Sequence, residues 1–181
     1  MRALKAFLCL LSMLTSMDAK SLTEAPSPTY RLRSEDRNYV ALISKSHLQV
    51  FKVIDAASKA LRPYWESSFT EKRSLAGRLS DDGELIVVVS KFYDHENPVV
   101  WIYQKGSPVQ ALSGADLKVD RTKLHSTSGR AATWLAGSAQ DSIRIDHDLE
   151  TDERRVSIKA TDGLTYIIIV NAESLAFFTT Y

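Results

Sequence analysis

Asp146, Asp148, Glu150 and Asp152 place a carboxylate at every second position of one short stretch. Oxygen ligands of this kind suit a hard cation such as calcium. Counted from Asp146, however, an EF-hand loop requires glycine at its sixth position and a bidentate glutamate at its twelfth, where this chain has Thr151 and Ser157. A period of two also places acids on the solvent face of a strand and its turn. The four residues are therefore taken as a binding set, for a basic partner or weakly held calcium, with no metal centre and no cofactor assigned.

Two histidines stand between acids, in Asp94-His95-Glu96 and Asp146-His147-Asp148. In an extended chain the flanking side chains point away from the histidine's face, so those acids do not share its ligand sphere. His95 is expected in a hairpin loop. His147 falls on an apolar set with Ile145 and Leu149 and is expected to be packed and hydrogen-bonded. The chain has no Gly-x-Ser-x-Gly, Ser-x-x-Lys or His-Glu-x-x-His signature, and no glycine pattern of a phosphate or dinucleotide loop. No reaction can be named from these residues, and the chain reads as non-catalytic. The alternative is a small hydrolase or metal-dependent enzyme built on His95, His125 or His147.

Aromatic rings offer a different surface. Trp101 and Tyr103 share one face of a strand and Trp134 adjoins Leu135, which reads as core packing. Tyr64-Trp65, beside Pro63 and ahead of the polar run Glu66 to Arg73, is the pair expected nearest solvent and is taken as a binding pair. A glycan is one ligand it would suit.

The elements that must position these residues are mainly strands. Ser80-Asp81-Asp82-Gly83 leads into Leu85 to Val89, and Asp94 to Pro98 separates that run from Val99 to Tyr103, with a further strand around Val109 to Leu112. A meander follows over Ser142 to Glu150, Arg155 to Ala160, Leu164 to Val170 and Leu175 to Tyr181, with Asp162-Gly163 as a tight turn. The segment 47–61 has two readings. Ser46 with Gln49 resembles a capping box, and Phe51, Ile54, Ser58 and Leu61 have helical spacing. Alternatively Tyr39 to Ile43, Leu48 to Ile54 and Ala60 to Trp65 are strands, with Asp55 to Lys59 as a turn.

In the strand reading, "VFKVIDAASKALRPYW", "AGRLSDDGELIVVVS" and "VVWIY" resemble blade sequence of TolB-type and WD40-like β-propellers, over Tyr39 to Tyr103. The resemblance implies antiparallel blade-like sheets and protein binding, with no catalytic residue to carry over. Lys59 stands where such blades usually have glycine. A propeller needs at least about four blades, and the chain is too short for a typical complete ring.

The first nineteen residues, Met1 to Ala19, read as a secretory signal: Arg2 and Lys5, then an apolar run from Ala6 to Leu14, then small Ala19. Roughly 20 apolar residues are needed to span a bilayer, so a stable transmembrane anchor is not expected. Lys20 to Thr29, with Pro26 and Pro28, reads as a flexible leader, and 30–181 as a single β-rich domain. Removal of Arg2, Lys5 and Asp18 from 23 basic and 22 acidic residues leaves the mature chain formally neutral, which argues against nucleic acid as a partner. Cys9, the one cysteine, would leave with the signal, so the mature protein would be disulfide-free. The expectation is a secreted or periplasmic β domain that binds an envelope or extracellular protein.

Overall fold

The computed structural model describes residues 30–44, 46–70, 75–124, 132–171 and 175–180. The expected signal and leader, over residues 1–29, and His125 lie outside the described residues. Within them the chain forms β1 (Tyr30–Arg33), β2 (Tyr39–Ile43), β3 (His47–Asp55), β4 (Ala60–Ser68), β5 (Leu75–Leu79), β6 (Leu85–Ser90), β7 (Pro98–Gln104), β8 (Ser107–Ser113), β9 (Ile143–Asp148), β10 (Glu153–Lys159), β11 (Thr165–Val170) and β12 (Leu175–Thr180). A short helix, α1 (Ala139–Ser142), precedes β9. The strands make three four-stranded sheets, each an antiparallel meander in sequence order: β1 to β4, β5 to β8 and β9 to β12. The mainly β, meander expectation holds.

The helix considered over 47–61 does not form. Leu48 and Val50 are buried in β3 against β2, whereas the helical set would have faced Ile54 and Leu61 inward, and these are 56% and 38% exposed. β-branched Val50, Val53 and Ile54 favour the pleated surface, and β2 and β4 pair with β3 on its two sides. Asp55 caps the following turn by accepting the Ala57 and Ser58 N–H groups. Lys59, standing in place of glycine, takes φ 57°, the left-handed conformation that the turn requires.

The turns into β2 and β6 are built alike, a repeat that residue identity barely shows. Ser80 donates its hydroxyl to Asp82 at 2.5 Å and accepts the Leu85 N–H, while Asp82 accepts the Glu84 N–H and Gly83 takes φ 71°. One sheet earlier, Ser34 donates to Asp36 at 2.6 Å and accepts the Tyr39 N–H, Asp36 accepts the Asn38 N–H, and Arg37 takes φ 65°. The two turns touch, the Asp36 N–H donating to Asp81.

The three sheets stack through two cores, and β6 shows why its sequence is apolar throughout. Leu85, Val87 and Val89 face a core shared with the third sheet, alongside Trp134, Val156, Ile158 and Tyr166. Ile86 and Val88 face a core shared with the first sheet, alongside Ala41, Leu48, Val50 and Phe69. The first strands converge, β1 on β5 and β5 on β9. The segment around Trp134 stitches the second sheet to the third. Thr133 bridges Phe92 and Leu135 bridges Ala160, while the Trp134 indole N–H donates to Ser90 at 2.7 Å.

Candidate functional site

Arg154, in β10, is 3% exposed and meets Asp82 and Glu84 at 2.8 Å each, with Asp152 at 3.7 Å. Asp82 lies in the turn before β6, so the cluster joins the second sheet to the third. Burial opposes the positive charge on Arg154, but Asp82, Asp152 and Glu84 more than restore it. Burial likewise favours a neutral Asp82, yet the Ser80 hydroxyl, the Arg154 guanidinium and the Glu84 N–H hold its carboxyl below the usual range. The Arg154 Nε is buried without a hydrogen-bond partner.

His147 sits opposite Arg154 in the β9–β10 ladder. Its Nε2 lies 2.8 Å from Asp152 and its Nδ1 3.6 Å from Asp82. Both ring nitrogens thus face carboxylates that belong to the junction, Asp152 within hydrogen-bond distance and Asp82 beyond it. The partners come from a turn and from another sheet, and the flanking Asp146 and Asp148 take no part. Leu149, expected on the same apolar face as His147, is instead 83% exposed, because β9 ends at Asp148 and Leu149 begins the hairpin turn.

The four carboxylates at every second position do not converge. Asp146 pairs with Arg144 at 2.7 Å on the outer face of the third sheet. Asp148 accepts the Glu150 and Thr151 N–H groups and so shapes the turn. Glu150 is exposed in that turn, and Asp152, at φ 52°, turns back toward His147 and Arg154. Among the described residues no group of three or more His, Cys, Asp or Glu is placed to hold a metal ion. His95 keeps separate company, its Nδ1 2.9 Å from the Tyr93 hydroxyl in the loop ahead of β7.

Tyr64 and Trp65 are separated in role by a bulge. Val50 pairs with Trp65 and Phe51 with Pro63, so Tyr64 is the extra residue between them. Trp65 is half-buried, packs on the first core and donates its indole N–H to the Gly83 carbonyl at 2.7 Å. Tyr64 is 43% exposed, with its ring centroid 5.3 Å from that of Tyr39. Of the two, Tyr64 is the more exposed, while Trp65 ties β4 to the turn before β6.

Among the described residues, cavities flank this framework. One of about 690 Å³ lies where β1 and β5 converge, bounded by Tyr30, Glu35, Gly77, Arg78 and Gln140. A groove of about 1030 Å³ runs over the outer face of the third sheet past Arg144, Asp146, Arg155, Lys159 and Ile167. A smaller one lies on the outer face of the first sheet. Sequence reading missed the junction around Arg154, since Asp82 and Arg154 are far apart in the chain, Asp82 reads as part of a turn, and Arg154 falls just before the strand expected from Arg155.

No protein-family model matches the chain, and no curated protein does. Among solved structures, a chain of the one described as a complex of KlAtg21 with coiled-coil of AgAtg16 is similar, with a TM-score of 0.52 and 12% sequence identity. The match covers 87% of this chain and 43% of that one, so this chain spans less than half of that neighbour's length. At this identity the likeness concerns the fold alone. The protein is of the mainly β class, built of three stacked antiparallel meanders.

Proposed function

We propose that this is an exported, non-catalytic β module of blade type that binds a protein partner in the cell envelope or outside the cell. The observation that carries the reading is the unclosed stack: the middle sheet is covered on both faces, and the two outer sheets on one face each among the described residues. Stacked blades each cover two faces when a ring closes, and among the described residues the outer faces of the first and third sheets stay open to a partner. The interrupted edges of the first two sheets favour face contact over edge pairing. Pro63 and the bulge at Tyr64 interrupt β4, and Pro108 with a register shift interrupts β8. The signal-like segment Met1 to Ala19 supports export, and the neutral mature charge accords with a protein partner.

The test is site-specific photocrosslinking in the native compartment, with the full chain carrying its own signal-like segment. A photoreactive residue at Ile167, on the groove of the third sheet, should give one adduct of defined mass. The same residue at Lys118, exposed and off both outer faces, should give none. Absence of an adduct at Ile167 in exported, folded protein overturns the binding reading. Retention of an uncut N terminus in the cytosol overturns the export reading.

A further inference from the structure

The outer face of the first sheet holds a pocket of about 190 Å³ that nothing above explains. Four cations line it: Arg31 and Arg33 from β1, Arg37 from the turn into β2, and Lys59 from the turn into β4. Its apolar lining includes Val40, Val53 and Leu61, and no acid contributes. Val40 is 2% exposed although it lies outside both cores, so the pocket shelters apolar surface as well as charge.

Among the described residues none of these four cations makes a side-chain hydrogen bond or ion pair. The nearby acids are committed elsewhere. Glu35 pairs with Arg78, Asp36 is held by the Ser34 hydroxyl and the Asn38 amide, and Asp55 accepts the Ala57 and Ser58 N–H groups. In a chain whose formal net charge is only +1, four like charges gathered without a counter-charge mark a place prepared for an anion.

We propose that this pocket binds an oxyanion carried on a compact apolar group, as a free small molecule. Guanidinium forks match the oxygen geometry of phosphate and carboxylate, and the ammonium of Lys59 adds a mobile point charge. Val40, Val53 and Leu61 take the apolar part. The pocket is smaller than the roughly 300–1,000 Å³ of sites for drug-sized ligands, which limits that part to about one ring. This inference stands apart from the protein-binding reading, because the pocket needs no partner to complete it.

Phenyl phosphate and inorganic phosphate are the probes, titrated at constant ionic strength into the chain from Lys20 onward, by calorimetry and by amide NMR shifts. Phenyl phosphate should bind saturably, about tenfold tighter than inorganic phosphate, and move the Val40 and Val53 resonances. The double substitution Arg37→Gly and Lys59→Gly removes two cations at positions where glycine relieves the backbone. It should leave folding intact or improved and weaken phenyl phosphate binding at least about tenfold. Arg33→Gln, at an exposed site, should weaken it in the same direction. No saturable binding, equal binding of both probes, or unchanged binding in the double variant would each overturn the site.

Discussion

At the scale of single residues, Arg154 bears the heaviest consequence. Its guanidinium offsets Asp82 and Glu84, which are themselves largely withdrawn from water, so Arg154→Met leaves Asp82 without its cation and Glu84 with only the exposed Lys105, 3.0 Å away. The expected cost is about 3 kcal/mol in urea unfolding, at the lower end for a broken buried pair because both carboxylates keep some solvent. The pH dependence follows from Asp82. Its folded carboxyl titrates below its ordinary value of 3.8, so its ionised form contributes stability above that value. That contribution is lost as pH falls through the lower folded value. In the Arg154→Met protein the acid limb of unfolding below about pH 4 should be shallower than in the parent, and an unchanged limb would place the Asp82 shift on its other partners.

Gly83 and Pro63 act at the scale of elements. A Cβ on Gly83 would stand 2.3 Å from the Tyr39 ring, and the residue holds φ 71°. Neither the ring nor the turn can give way cheaply, because Trp65 also donates to the Gly83 carbonyl. Gly83→Ala should therefore cost more than about 2 kcal/mol in thermal or urea unfolding, combining left-handed strain with overpacking. Pro63 serves a different end, keeping the nine residues of β4 from presenting a continuous ladder edge. Replacement of Pro63 and Pro108 by threonine should leave the fold in place but shift the protein to larger species in analytical ultracentrifugation, and a sedimentation profile identical to the parent's would show that these edges need no interruption.

Across the whole molecule, the two cores make a thermodynamic statement that the strand pattern cannot. Val87 and Val88 are neighbours in β6 but belong to different cores. Each change to alanine should cost about 2 kcal/mol, and the double variant should equal the sum within about 0.5 kcal/mol. A strongly non-additive double variant would mean that the two cores respond as one. The apolar run of β6, the Asp-Gly turns and the order of β9 to β12 were legible from period and turn chemistry, because both are local, whereas β1 and β5 were not read as strands. Segment 47–61 was not, since its apolar residues satisfy two periods and only the neighbours β2 and β4 decide between them. The turn repeat from Ser34 to Ser80 was hidden by Arg37 in a glycine's place, and the split between Tyr64 and Trp65 by a bulge that exists only in the paired ladder. Local pattern in the chain was enough for β6 to β12 and for the absence of a local catalytic motif. Tertiary structure alone decided that the sheets stack in sequence order, that Asp82 meets Arg154, and that four cations gather without a counter-charge, because each depends on contacts between residues that the chain order keeps apart.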